Sequence, residues 1–173
     1  MRKVVSGFAC SLDGYIQGPK GEIDWILIDK EIDFAEHMRR FDVFLYGRKT
    51  YESILKMGAQ NLSGATHYII SNTLTSVAPG YVLMQGDVSN NILKLKQQTG
   101  KDIAVFGGAN LLASLLNCEL VDELSISFIP VLLGEGKPMV DVLNSHVWLE
   151  LKDSRTFKNS TVQLTYTIKR NGG

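Results

Sequence analysis

Cysteine is scarce in this chain. Cys10 and Cys118 lie far apart, with no Cys-x-x-Cys spacing, which excludes the common dithiol redox motif and leaves at most a single disulfide between the two. Both are expected to be buried, reduced thiols of a cytoplasmic protein. Histidine is also sparse: His37, His67 and His146 are scattered and show no Cys/His ligand spacing, so no metal site is expected. An excess of either charge is missing, since 18 basic residues balance 18 acidic ones. Bulk electrostatics therefore recruits neither nucleic acid nor an anionic membrane. No apolar run approaches the roughly 20 residues of a membrane span, and the apolar segment at Met1–Gly7 is too short for a secretory signal. Also absent are the Gly-x-Gly-x-x-Gly dinucleotide fingerprint, the P-loop and the Gly-x-Ser-x-Gly elbow. Cys10 as a nucleophile would need a histidine partner, and the sequence pattern points to none of the three.

What is present is a hydrophobic fraction of 45% in 173 residues, enough for one domain, 1–173, with a proper core. The stretch Val43-Phe-Leu-Tyr-Gly-Arg-Lys-Thr-Tyr-Glu-Ser53 organises it. Val43–Tyr46 reads as a buried strand, Gly47 breaks it, and Tyr51, Ile54 and Leu55 then recur at helical spacing from Arg48 onward. A strand that ends in glycine and opens into a helix aims backbone N–H groups at one point. Arg48 and Lys49 in that first turn oppose the helix dipole, and a bound anion would offset the cost. The alternative is an ordinary junction with solvated basic side chains.

Asp102–Phe106 is a second such strand. It runs into Gly107-Gly108 and a helix over Ala109–Leu116. Adjacent glycines let a ligand approach the backbone and open dihedrals closed to other residues.

Around these junctions the pattern predicts strands at Lys3–Ala9, His67–Ile70, Tyr81–Met84 and Leu124–Val131. A terminal hairpin is formed by Trp148–Leu151 and Thr161–Lys169 across Lys158-Asn159-Ser160. Asp13-Gly14 is turn chemistry. Ser71-Asn72-Thr73 suits a turn or a ligand contact. A helix is expected over 30–40, capped by Asp29, with Phe34, Met38 and Phe41 on one face. Glu31 points along that face, as a first-turn dipole partner or as a polar group at a pocket edge. A further helix, Asn91–Gln98, turns Ile92, Leu93 and Leu95 to one side, and Leu133–Pro138 reads as a loop. The order strand–helix–strand–helix followed by strands alone predicts an α/β fold, a mixed and mostly parallel central sheet with helices on its faces. An anion-binding α/β chain without nucleophile or metal suits hydride transfer, where a cofactor carries the chemistry.

The motifs, taken in order, resemble the dihydrofolate reductase-like superfamily, closest to the branch typified by the C-terminal reductase domain of the bifunctional riboflavin-biosynthesis protein RibD. They are Ser11-Leu-Asp-Gly-Tyr-Ile16, Trp25, Gly47-Arg-Lys-Thr-Tyr-Glu52, Ile70-Ser-Asn-Thr73, Val105-Phe-Gly-Gly-Ala109, Leu120-Val-Asp-Glu-Leu124 and Pro130-Val-Leu-Leu-Gly134. The resemblance implies a three-layer fold and an NADPH-dependent reductase. Ala9 and Ile16 would offer backbone groups to the nicotinamide carboxamide. Gly47, Arg48, Lys49 and Thr50, with Phe106, Gly107, Gly108, Ala109, Asn110 and Leu111, would hold the pyrophosphate. Arg48, Ser71 and Asn72 would meet the 2′-phosphate. The paired glycines of the family often carry a cis peptide.

On the substrate side, Glu31 or Asp13 would orient a small heterocycle or sugar-linked pyrimidine or relay a proton, and Trp25 and Phe34 would wall its pocket. Asp13 is equally explained as a turn residue, and the two aromatics as core. Rival readings are a true dihydrofolate reductase, an NADPH-binding protein without catalysis, and a structural module without ligand. The Leu124–Val131 strand and the terminal hairpin would supply a homodimer surface.

Overall fold

A computed structural model describes residues 1–27, 29, 34–58 and 64–170. The expected helix start at residue 30 and Glu31 lie outside these residues, as does the side chain of Phe34. The strands are β1 (Val4–Ser11), β2 (Tyr15–Gln17), β3 (Phe41–Gly47), β4 (Thr66–Ile70), β5 (Val82–Met84), β6 (Asp102–Val105), β7 (Glu123–Ile129), β8 (Lys137–Pro138), β9 (Leu149–Thr156) and β10 (Val162–Ile168). The helices are α1 (Phe34–Met38), α2 (Arg48–Lys56), α3 (Val88–Gln97) and α4 (Ala109–Asn117).

Eight strands form one sheet in the order β5-β4-β3-β6-β1-β7-β10-β9, and β2 pairs with β8 in a small second sheet. From β5 to β7 the pairings are parallel; β10 runs antiparallel to both β7 and β9. The expected mixed, mostly parallel sheet with a terminal hairpin is what forms. Alternation along the strands sends residues to opposite faces. Val43, Leu45, Ile103 and Val105 pack with Leu95 of α3 and Leu112 and Leu115 of α4. Phe44, Tyr46 and Ala104 pack on the other face with Met38 of α1 and Tyr51 and Ile54 of α2. This gives three layers with apolar contact on both sides of the central strands, as parallel strands require.

Several boundaries differ from expectation. Phe41 is not on the helix face with Met38 but opens β3, opposite Asp102, because the chain turns at Arg39 and Arg40. Helix α3 starts at Val88, since the Asp87 side chain accepts from the N–H of Asn90 (3.0 Å) and caps it there. Leu93 is exposed, and Lys96 is buried beside Ile92 and Leu95. The Lys96 ammonium pairs with Asp122 (2.6 Å), which makes that burial tolerable. Cys118 is exposed rather than buried, because it follows the last turn of α4. Asp29 is buried and accepts from the N–H of Asn159 (3.2 Å), tying the segment before α1 to the β9–β10 turn. Lys137-Pro138, within the expected loop, is strand β8.

Charge gathers at the amino end of the parallel strands. Glu123, at the start of β7, is buried at 1% exposure. Its carboxylate takes Arg40 Nη1 at 2.6 Å, with Lys152 at 3.4 Å and Lys3 at 3.6 Å, and Arg40 also holds Asp102 at 2.9 Å. Burial would raise the Glu123 pKa, but the Arg40 bond and charge, then Lys152, outweigh it and hold the carboxyl below its ordinary 4.5. Removing one partner of a buried pair is costly. Glu123→Gln is therefore expected to destabilise the fold by about 1–3 kcal/mol near neutral pH, since Arg40 keeps Asp102 and partial solvation. A depressed carboxyl pKa gives stability that is present above the unfolded value and is lost as pH falls through the folded one. Urea unfolding of both proteins from pH 7 downward checks this: the gap narrows below about pH 4.5, and a gap constant with pH contradicts the assignment.

Candidate active site

Strands β3 and β6 lie side by side, yet the chain leaves them in opposite directions. After β3 it passes through α2 to β4, outward; after β6 it passes through α4 across β1 to β7. Helices α2 and α4 sit on opposite faces of the sheet. Their amino ends meet at the carboxyl edge of β3 and β6, the kind of crevice where open α/β sheets bind ligands.

The two junctions are bonded to each other. The N–H of Gly47 donates to the carbonyl of Gly107 (3.2 Å), and the Thr50 hydroxyl donates to that same carbonyl (3.1 Å). The N–H of Gly108 donates to the Thr50 oxygen (3.3 Å). The Gly107–Gly108 peptide is cis, as the resemblance implies, and Gly107 has φ +74°, a left-handed value that favours glycine. A side chain at Gly47 would abut Gly107 O (3.5 Å) and Leu111 Cβ (3.6 Å). The N-caps of α2 and α4 are Gly47 and Gly108, so neither helix has a side-chain cap, whereas α3 is capped by Asp87. Neither α2 nor α4 has an acidic residue in its first turn. Two helix starts are thus left with orphan N–H donors and no acid in their own first turns.

A cleft of about 570 Å³ opens between them. Gly47, Arg48, Lys49, Thr50, Asn72, Gly108, Asn110 and Leu111 line it, which brings together most of the residues expected at a pyrophosphate. Arg48 is exposed and bonds Glu52 (3.2 Å) one turn on. Asn72 accepts from the N–H of Gly86 (3.1 Å). Ser71 does not line the cleft: its buried hydroxyl accepts from the N–H groups of Thr73 and Leu74 (3.2 Å each), so it closes the turn after β4. Phe106 lies one residue before the glycines with its ring against Phe44 and Tyr46, while Ala109 is buried at the start of α4. Ala9 and Ile16 are half-buried on β1 and β2, beyond the lining residues.

Asp13 is engaged. It accepts from the Ser11 hydroxyl (2.6 Å) and from the N–H groups of Leu133 (3.1 Å) and Gly134 (2.7 Å). The Ser11 bond first, then the backbone donors, hold its carboxyl below the ordinary range. It latches the Ser11–Gly14 turn to the segment before β8 as a carboxylate. Trp25 is half-buried and its indole N–H donates to Glu22 O (3.1 Å). Phe34 opens α1. Cys10 is fully buried against Met139, and burial, with the Asp13 charge, pushes its thiol up to about 11. It is therefore not a thiolate nucleophile at neutral pH.

Sequence reasoning missed Val88, Ser89, Lys137 and Asp141 in the cleft lining. Asp87, an N-cap residue type ahead of the periodic run, would have brought Val88 and Ser89 into the first turn of α3. Nothing local marks Lys137 and Asp141, which tertiary pairing brings to the site.

The model of the RibD C-terminal domain family matches residues 2–163. The uncharacterised Bacillus subtilis protein YyaP is 32% identical over 95% of this chain and 94% of its own length. A crystal structure from Shewanella sp. PV-4, provisionally named for riboflavin biosynthesis, superposes with a TM-score of 0.87 at 29% identity, covering 97% of this chain and 99% of that one. The dihydrofolate reductase of Enterococcus faecalis, solved with NADP(H), gives a TM-score of 0.73 at 19% identity and 97% coverage of both.

The Thr50 bridge is testable. Thr50→Val keeps the shape but removes both hydroxyl bonds, and is expected to lower unfolding stability by about 1–2 kcal/mol, while Thr50→Ser stays within about 0.5 kcal/mol of wild type. Chemical denaturation of the two variants checks this, and equal stability of Thr50→Val and wild type would show that the bridge contributes nothing.

Proposed function

The chain belongs to the RibD C-terminal domain family, and from that premise we propose that it is an NADPH-dependent reductase of the riboflavin-pathway type, acting on a small heterocyclic or sugar-linked substrate. The observation that carries this reading is the convergence of two uncapped, acid-free helix starts on one cleft. Its donor set suits a dinucleotide: backbone N–H groups for a diphosphate, Arg48 and Lys49 for further negative charge, and glycines where the chain comes closest. A volume of about 570 Å³ falls in the range of cofactor pockets.

In this reading the N–H groups at Arg48–Thr50 and Ala109–Leu111 hold the diphosphate. Arg48 and Asn72 meet the 2′-phosphate, with Ser71 acting through the turn it closes rather than by contact. When bound, the nicotinamide supplies the hydride, and the protein supplies placement and exclusion of water. Ala9 and Ile16 would fix the carboxamide through their backbones. Asp13 orients the active-site edge of β1 by holding the Ser11–Gly14 turn to Leu133 and Gly134. Proton relay is left to Glu31 or to a group on the substrate, since Asp13 stays ionised at neutral pH. Trp25 and Phe34 would wall the substrate pocket.

Thermal denaturation with NADPH beside NADH tests the reading, because a ligand that binds only the folded state must raise the melting temperature. NADPH is expected to give the larger shift, and Arg48→Ala to reduce that shift toward the NADH value. Equal shifts in wild type would contradict the 2′-phosphate assignment, and no shift with either nucleotide would contradict the reductase reading.

A further inference from the structure

Lys137 stands over the meeting point of the two helix starts. A Cβ placed on Gly108 would lie 3.2 Å from its Nζ and 3.7 Å from the Thr50 hydroxyl. Lys137 reaches this place because its strand is held on every side. The N–H of Leu12 donates to Val131 O (2.9 Å), and Asp13 accepts from Leu133 and Gly134. Lys137 and Pro138 pair with β2, and the N–H of Met139 donates to Gly14 O (2.9 Å). The N–H of Asp141 donates to Ala109 O (3.3 Å), in the first turn of α4. At Gly136 the ribbon is so close to β2 that a Cβ would fall 2.2 Å from Gln17 O. The backbone that carries Lys137 is therefore fixed.

Among the described residues the ammonium has no acidic partner there. Helix starts favour anions over cations, and the first turns of α2 and α4 hold no acidic residue. Among the described residues no carboxylate lies within 4.0 Å of Lys137 Nζ. The nearby Asp141 carboxylate faces the Asn110 amide instead (3.4 Å). A strand sewn in place so as to keep an unanswered cation between two helix starts makes sense when an anion sits there.

We propose that Lys137 is a ligand of the dinucleotide diphosphate, presented from β8 to the anion that α2 and α4 share. The proposal rests on the reading of the cleft as a cofactor site and adds a binding residue that lies outside both glycine-marked junctions. It also makes the β2–β8 ribbon a link between the Ser11–Gly14 turn and the diphosphate.

Isothermal titration of wild type, Lys137→Met, Lys137→Arg and Arg48→Ala with NADPH, NADH and adenosine 2′-monophosphate tests it. Lys137→Met is expected to weaken NADPH and NADH alike, on the order of tenfold to a hundredfold, because the diphosphate is common to both. It should leave adenosine 2′-monophosphate unaffected and flatten the salt dependence of NADPH binding. Lys137→Arg should keep affinity within a few-fold. Arg48→Ala should weaken NADPH and adenosine 2′-monophosphate but not NADH. If Lys137→Met does not fold, as judged by its circular dichroism, Lys137→Gln takes its place. Wild-type affinity in the neutral variant, with wild type binding NADPH, overturns the Lys137 assignment alone. Failure of wild type to bind either dinucleotide overturns the cofactor reading and this assignment with it.

Discussion

Two helices begin within bonding distance of each other, and one threonine hydroxyl serves both starts. Thr50, in the first turn of α2, donates to Gly107 O and accepts from Gly108 N–H, while Gly47 N–H reaches the same carbonyl. This contact is possible only because β3 and β6 are neighbours and their chains depart to opposite faces. Glycine suits it at residue 107, whose φ of +74° is a left-handed value that other residues rarely adopt. The cleft and its backbone donors follow from that junction.

The two ends of the sheet solve opposite electrostatic problems. At the amino end, every carboxylate of the cluster has a cationic partner: Glu123 is buried among Arg40, Lys152 and Lys3, Asp122 takes Lys96 and Arg170, and Arg2 pairs with Asp42. Such pairing ties the strand ends to one another. At the carboxyl end, Arg48 pairs with Glu52, but the first turns of α2 and α4 hold no acidic residue and, among the described residues, no carboxylate lies within 4.0 Å of Lys137 Nζ. Functional sites commonly carry this kind of local imbalance.

Much of this was legible locally. Gly47 after four strand-forming residues marks both the end of β3 and the start of α2 at Arg48, and Gly107-Gly108 does the same for β6 and α4. Both junctions announce themselves within a few residues, so their chemistry could be read before their geometry. Phe41 was not legible, because Phe34, Met38 and Phe41 satisfy the helical period equally well and only the turn at Arg39–Arg40 separates them. Ser71 has the chemistry to bind an anion, but its hydroxyl is consumed by the N–H groups of Thr73 and Leu74. Asp13 read as either a turn residue or an acid; its partners Leu133 and Gly134 are distant in sequence, so its role as a latch could only be seen in three dimensions. Lys137 belongs to a strand two residues long, too short for any period to show, and its place depends on pairing with β2.

The central claim is that the two helix starts share one diphosphate. A crystal structure of the protein grown with NADP⁺ tests this most directly. The account predicts diphosphate density between the first turns of α2 and α4, with its oxygens about 3 Å from backbone N–H groups of both helices. Density for the dinucleotide elsewhere on the molecule, or a diphosphate touching only one of the two helices, would contradict it.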